Sequence, residues 1–100
     1  MVSRPPSRAV LTAAADVGAN LTSWRKLLGL TAAQVADRAG VARSTLYRIE
    51  HGDPGVSFAA VLSTARGLGV LGRLVEATDP YETDLGRARA DQTLPRRVRS

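Results

Sequence analysis

The stretch that decides the fold runs from residue 30 to residue 52 and reads LTAAQVADRAGVARSTLYRIEHG. Thr31 is a favourable N-cap for a short helix over residues 32–39. Gly40 supplies the positive φ that a sharp reversal needs before a second helix over about residues 42–51. Ala36 faces that second helix, and its small side chain lets the two helices cross closely. The shared apolar contact is made by Val35, Val41, Leu46 and Ile49. This pattern predicts a helix-turn-helix.

The second helix of this motif has one polar face. On a helical wheel Leu46 and Ile49 lie on one side, with Thr45 beside them. The opposite side contains no acidic residue and consists of Arg43, Ser44, Tyr47, Arg48 and His51. Such a face suits the DNA major groove, because arginine and serine donate hydrogen bonds to acceptors on base edges. The alternative, for a helix taken alone, is an ordinary solvated face.

The rest of the chain is predicted to be helical as well, with glycine and proline between short segments. A long first helix begins after Ser7 and ends at Gly29, and Gly18 is a weak point within it. Its apolar residues recur at spacings of three and four: Val10, Ala14, Val17, Leu21, Trp24 and Leu28. A fourth helix begins after Ser57, and a fifth covers about residues 71–78. The fourth is expected to direct inward Phe58, Val61, Leu62, Ala65 and Leu68.

These elements predict three regions in an all-α chain of 100 residues. Residues 1–6 form a flexible arm, and residues 7–78 form a five-helix domain with its helix-turn-helix at 31–52 and an extended first helix. Residues 79–100 form a polar tail, with a helical stretch over residues 81–90 and a basic end.

Composition excludes several kinds of site. The chain has no cysteine and one histidine, which excludes a disulfide, a cysteine nucleophile and a multi-histidine metal site. It shows no glycine-rich phosphate loop or paired acids, so we expect no enzyme activity, cofactor or metal. No apolar run approaches the roughly 18 residues that span a bilayer, and residues 1–6 lack the apolar stretch of a secretory signal. We therefore expect a cytoplasmic, nucleoid-associated protein.

The charge is basic and unevenly distributed. The formal net charge is +5, and thirteen of the fourteen basic residues are arginine. Arginine suits phosphates and guanine edges because of its planar fork of donors, although codon composition also raises its frequency. The net charge is +4 over residues 1–52, −3 over residues 53–84 and +4 over residues 85–100. Two basic ends around an acidic middle indicate separate roles for these regions.

Residues 17–75, approximately, resemble the phage-repressor type of helix-turn-helix domain, also called the Xre or Cro/cI class. The matching residues are Arg25, Leu28-Gly29-Leu30-Thr31, Val35-Ala36, Gly40-Val41, Ser44-Thr45-Leu46, Ile49-Glu50 and Gly52. The resemblance implies a five-helix bundle that binds double-stranded DNA. It also implies that Arg43, Ser44 and Arg48 contact bases, that Tyr47 contacts a base methyl group or a phosphate, and that Thr45 lies among the contact residues.

The same resemblance assigns roles outside the helix over residues 42–51, which is the third helix of the chain. Thr31 would cap the helix over residues 32–39, whose N-terminus would meet a DNA phosphate. Arg25 and Glu50 match a family ion pair between helices one and three, with contact of Arg25 to the DNA backbone as the alternative. Ala32 stands at a DNA-contact position where many members carry a polar side chain. Ala42 replaces the usual serine or threonine cap of helix three, which weakens that cap by about 1 kcal/mol.

A homodimer is expected, because one helix-turn-helix reads too few base pairs for useful specificity against a genome. A dimer places two reading helices about 34 Å apart on one face of a palindromic operator. The expected interface combines the family's dimer region in helix five with the extended apolar stripe of helix one. Its residues are Leu71, Leu74, Val75, Val10 and Val17.

A narrower resemblance is to the HipB-like antitoxin regulators that are paired with HipA-like kinase toxins. It is carried by Gly52-Asp53-Pro54-Gly55-Val56-Ser57, Leu68-Gly69, Leu71, Asp79-Pro80 and Leu94-Pro95-Arg96-Arg97-Val98-Arg99. It implies a repressor of its own operon that also binds the toxin of a type II toxin–antitoxin pair. A stand-alone repressor without a toxin is one alternative, and an interaction adaptor that has lost DNA binding is another. The basic tail equally suits contact with DNA phosphates or a disordered segment.

Overall fold

The structure is a computed structural model that describes residues 4–93. Those residues form six α-helices and one short 3₁₀ helix, without a β-strand. The α-helices are α1 (Arg8–Leu27), α2 (Ala32–Ala39), α3 (Arg43–Glu50), α4 (Phe58–Leu68), α5 (Leu71–Ala77) and α6 (Asp84–Thr93), and the 3₁₀ helix is Pro80–Glu82. The all-helical prediction is confirmed. The predicted count of five helices is not exact, because α6 follows the first five.

Three helices begin at the hydroxyl residues that the sequence singles out. The side chains of Ser7, Thr31 and Ser57 each accept a hydrogen bond from the backbone N–H three residues later. Thr31 also donates its own N–H to the side-chain oxygen of Gln34 at 2.8 Å, which completes a capping box. In contrast, α3 starts at Ala42 without a side-chain cap. Local chemistry therefore sets the beginnings of α1, α2 and α4, whereas α3 depends more on its packing.

The hydrophobic core lies among α1 to α5. Helix α2 packs against α4 and α3, and α1 packs against α3 and α4. The buried core residues are Leu21, Val35, Ala36, Leu46, Ile49, Ala65, Leu68 and Val70. Trp24 is partly buried against this core, with the Arg73 guanidinium 5.7 Å from its ring centre. The core thus holds α2 and α3 in a fixed crossing.

The closest approach of α1 to α3 occurs at Gly18. A Cβ atom at this position would lie 2.9 Å from the carbonyl oxygen of Glu50 and closer still to that of Ile49. Gly52, with a φ of +78°, lies similarly close to Ala15, whose Cα atom would be 2.8 Å from an added Cβ. The glycine that looks like a weak point in the sequence is therefore required by the packing of α1 on the end of α3.

One core assignment is wrong. Phe58 is 75% exposed, although its spacing with Val61 and Leu62 predicts that it points inward. It is the first residue of α4. Helical periodicity identifies the face of a helix but not how far neighbouring helices extend along it, and the first turn of α4 is left largely uncovered.

The tail forms a small helical unit of its own. The Asp79 carboxylate accepts the N–H of Tyr81 at 2.9 Å, which starts the 3₁₀ helix. The Thr83 hydroxyl then accepts the N–H of Gly86 at 2.9 Å at the start of α6. Helix α6 packs against the 3₁₀ helix, and Arg87 donates to the Tyr81 carbonyl. The predicted helix over residues 81–90 is therefore displaced to 84–93, because residues 79–83 are used in the 3₁₀ turn and the cap.

Two predicted segments lie partly or wholly outside the described residues. These are the first three residues of the N-terminal arm and the basic end, residues 94–100. Among the helices of residues 4–93, none has both the length and the apolar character needed to cross a membrane.

Candidate nucleic-acid interface

The outer face of α3, which we define as Arg43, Ser44, Tyr47, Arg48 and His51, is exposed to solvent. Its opposite face is buried in the core through Leu46 and Ile49, at 1% and 4% exposure. The outer face contains no acidic residue of α3 itself. It therefore presents two guanidinium groups, a hydroxyl and an aromatic ring on one surface.

An ion pair between Arg25 of α1 and Glu50 ties α3 to the bundle from its inner side. Nε of Arg25 donates to Oε2 at 2.8 Å and Nη2 donates to Oε1 at 3.1 Å. Nη1 of Arg25 donates to the Leu30 carbonyl at 3.3 Å. The hydrogen bonds that Arg25 donates to the Glu50 carboxylate raise the pKa of Arg25, because they stabilise the charged guanidinium. The two side chains are only 16% and 8% exposed, so this geometry favours a structural role over contact of Arg25 with DNA.

A second ion pair lies on the outer face, between Arg48 and Asp53 in the turn after α3. Nε of Arg48 donates to Oδ2 at 2.7 Å, and the Gly55 N–H donates to Oδ1 at 2.7 Å. These hydrogen bonds, from Arg48 first and then from Gly55, lower the pKa of Asp53 because they stabilise its carboxylate. The sequence pattern assigns Asp53 no contact with Arg48 and marks it only as part of the stretch that resembles the HipB-like regulators. The signal that would have found it is a carboxylate that follows the helix end within reach of an arginine on the last turn.

Tyr47 and His51 form an aromatic pair on the outer face. Their rings are stacked with centroids 3.8 Å apart and an angle of 22° between the planes. Nδ1 of His51 lies 2.7 Å from the Tyr47 carbonyl oxygen, so in this geometry Nδ1 carries the proton that is donated. His51 thus contacts a carbonyl at the end of α3, and its ring stacks on that of Tyr47.

The remaining predicted contact residues lie beside α3. Thr31 is exposed at the N-terminus of α2, where the helix dipole is positive. Ala32 is partly buried against the core, and Thr45 is partly buried at the edge of the outer face. The structure therefore brings Thr31 and the outer face to the surface, and it places Arg25 and Ala32 within the bundle.

An apolar groove lies between α1, α4 and α5. It is lined by Val17, Phe58, Val61, Leu62, Leu74, Val75 and Thr78. Val17, Phe58 and Val75 are 40%, 75% and 60% exposed. Of the other residues predicted for a dimer interface, Val10 is exposed on α1 and Leu71 is packed against the core.

In the described part of the chain, no group of three or more histidine, aspartate or glutamate side chains is arranged to hold a metal ion. The outer face of α3, backed by the buried Leu46 and Ile49, is the candidate site of the structure.

The comparisons with known proteins agree with this geometry. A family model described as a helix-turn-helix domain matches residues 16–78. The match covers more than half of the chain, and the chain therefore belongs to this helix-turn-helix family. Comparison with curated proteins and with solved structures gives no match. By class, the protein is a DNA-binding regulator of the helix-turn-helix type.

Proposed function

We propose that this protein is a sequence-specific transcriptional repressor that inserts α3 into the major groove of double-stranded DNA. The observation that carries this proposal is the exposed outer face of α3, with Arg43 in its first turn, Arg48 in its last turn and no acidic residue of the helix between them. Arginine pairs with the two acceptors of guanine through parallel hydrogen bonds, and the serine hydroxyl of Ser44 accepts or donates. The N-terminus of α2, capped by Thr31, would meet a phosphate beside the groove.

The rest of the bundle supports this role by holding α3 in one orientation. A helix of eight residues is not stable alone in water, and α3 lacks a side-chain cap. Burial of Leu46 and Ile49 fixes which side faces outward. The ion pair of Arg25 with Glu50 fixes the end of the helix relative to α1. Preorganisation of this kind reduces the entropy lost on binding.

The test is DNA selection with the purified protein, followed by gel shifts with the selected operator. The double variant Arg43→Ala/Arg48→Ala is expected to bind it at least a hundredfold more weakly, because each arginine–guanine pair contributes about tenfold or more. Arg87→Ala removes one positive charge from α6, which packs on the 3₁₀ helix, and serves as the control with a small effect. Unchanged operator binding by the double variant would reject the proposal and favour the adaptor that has lost DNA binding.

We also propose that the repressor binds its palindromic operator as a homodimer through the apolar groove of α1, α4 and α5. Exposed Val17, Phe58 and Val75 support this, because burying them against a second copy removes apolar surface from water. Val75→Asp is expected to give a monomer in sedimentation at tens of micromolar, while the wild-type chain is a dimer. Leu85→Asp is the matched control, since Leu85 on α6 is 62% exposed and Val75 is 60% exposed. A monomeric wild-type chain would contradict the proposal.

The finer proposal is that the chain is the antitoxin of a type II toxin–antitoxin pair, which represses its own operon and binds a HipA-like kinase toxin. Its support is the sequence resemblance, part of which lies in residues 94–99, outside the described residues. Co-expression with the protein encoded by an adjacent kinase-like reading frame is expected to give a stable complex. Operator binding without any such complex would support the stand-alone repressor instead.

A further inference from the structure

Arg48 does not extend freely from the outer face of α3, because the turn that follows the helix engages it twice. Its Nε donates to Oδ2 of Asp53 at 2.7 Å. Its backbone carbonyl accepts the N–H of Asp53 at 2.9 Å. A side-chain hydrogen bond and a backbone hydrogen bond therefore both join Arg48 to Asp53 across the end of α3.

Asp53 is itself held in place on its other oxygen. The N–H of Gly55 donates to Oδ1 at 2.7 Å. A Cβ atom at position 55 would lie 3.1 Å from Oδ1 of Asp53 and 3.7 Å from Nη2 of Arg48, so the turn passes directly beside the ion pair. With one hydrogen bond on each oxygen, the carboxylate links the turn at residues 53–55 to the guanidinium.

The chemistry of this pair leaves Arg48 able to bind DNA. A guanidinium has five N–H donors, and Asp53 uses the one on Nε. The four donors on Nη1 and Nη2 remain, and one from each nitrogen lies on the edge that forms two parallel hydrogen bonds with N7 and O6 of guanine. An arginine that is already held by a carboxylate also loses less conformational freedom when it binds.

We infer that Asp53 is a positioning residue for DNA recognition, which holds the Arg48 guanidinium in the orientation that reads guanine. This inference rests on the proposed function and deepens it. The negative charge of Asp53 adds a second effect, since it repels phosphates and so weakens binding that depends on charge alone. Asp53 therefore raises the ratio of specific to non-specific affinity.

The experiment uses the full chain and the operator obtained by selection. Affinities are measured for the operator, for all its single-base variants and for random DNA, with wild type, Asp53→Asn, Arg48→Ala and the double variant. At the base pair read by Arg48, the ratio of the affinity for the operator to the affinity for its single-base variants is expected to fall about tenfold in Asp53→Asn. Its binding to random DNA is expected to be unchanged or tighter. In the Arg48→Ala background the Asp53→Asn substitution is expected to have no further effect on base preference.

A matched control is available on α6. Asp84 forms an exposed ion pair with Arg87 at the same distance, 2.7 Å. Asp84→Asn removes an equal charge and is expected to leave base preference unchanged. If Asp53→Asn does not fold, as judged by circular dichroism, Asp53→Ala replaces it, because alanine also removes the carboxylate that accepts the hydrogen bond from Nε of Arg48; it is expected to lose the same base preference.

The outcomes separate the two proposals. The inference is overturned if folded Asp53→Asn keeps the base preference of the wild type, or if its loss of affinity is spread evenly over all base pairs. The proposed function stands in either case. A loss that persists in the Arg48→Ala background also overturns it. A wild-type chain that selects no sequence overturns the proposed function and this inference with it.

Discussion

The inner and outer sides of α3 each carry an ion pair of an arginine with a carboxylate, and the two pairs differ mainly in their contact with water. The pair of Arg25 and Glu50 is 16% and 8% exposed, and two hydrogen bonds join it. The pair of Arg48 and Asp53 is 50% and 37% exposed, with one hydrogen bond between the side chains. The same kind of ion pair thus occurs in two different environments, one on each side of a short helix.

This difference determines what each pair does for the protein. Breaking a buried pair leaves a charge without a partner and with little water around it, which is costly. An exposed pair is screened by water and ions, so its loss changes stability little. The inner pair therefore holds α3 in place, while the outer pair remains available to a ligand.

The largest effect is expected for the contact that the inner side makes with α1. Gly18→Ala would place a methyl group against the carbonyl oxygens of Ile49 and Glu50, which are backbone atoms and cannot rotate away. We expect a loss of about 3 kcal/mol in the free energy of unfolding, despite the higher helix propensity of alanine. Urea unfolding followed by the fluorescence of Trp24, the single tryptophan, measures this.

The control for this substitution is Gly72→Ala in α5, where an added Cβ meets no atom within 4 Å. Its stability is expected to be unchanged or slightly higher. Equal destabilisation by both alanine substitutions would show that the close contact at Gly18 is unimportant.

An intermediate effect is expected for the inner ion pair. Glu50→Ala would leave Arg25 without its partner, and we expect a loss of about 2 kcal/mol, less than for a fully buried pair because water still reaches Arg25. Asp53→Ala, its counterpart on the outer side, is expected to lower the free energy of unfolding far less. Both are compared in urea at one protein concentration. Similar losses would contradict the division between the two sides of α3.

The smallest effect concerns pH. The folded-state pKa of Asp53 is lowered, so the stability that Asp53 contributes is present above its unfolded pKa, about 3.9, and is lost as the pH falls through its lower folded value. The wild type is therefore expected to be slightly more stable than Asp53→Asn at pH 7 and to lose that advantage below about pH 4. A direct measurement is the NMR titration of the Asp53 carboxyl carbon, whose pKa is expected to rise in Arg48→Ala. An identical pKa in both proteins would argue against the ion pair in solution.

Much of the local structure follows from short-range chemistry that a sequence displays. The hydroxyl caps at Ser7, Thr31 and Ser57 and the reversal at Gly40 lie where the sequence predicts them. The outer face of α3 is exposed as the helical wheel predicts, because helical periodicity alone separates it from the buried side. The start of the last helix was predicted less well, since the 3₁₀ turn at Pro80–Glu82 displaces it.

The features that were missed depend on how the helices pack or on where a side chain points, which the pattern of residues along one helix does not give. In the sequence, Gly18 looks like a weak helix position. In the structure, the end of α3 lies so close to Gly18 that no side chain fits there. The sequence predicts that Phe58 lies in the core. The structure shows it exposed, because the neighbouring helices do not extend over the first turn of α4. Asp53 has no predicted contact in the sequence, and the structure shows that its carboxylate meets the Arg48 side chain.

The amino-acid sequence by itself determined that the chain is helical, where its capped helices begin, and which side of α3 carries the arginines, because each of these depends on residues within a few positions of one another. Only the tertiary structure decided that Arg25 lies in a largely buried ion pair with Glu50 and that Arg48 lies in an exposed one with Asp53. Both are the same residue type with a carboxylate partner, and their difference lies in burial, which arises when separate helices pack together.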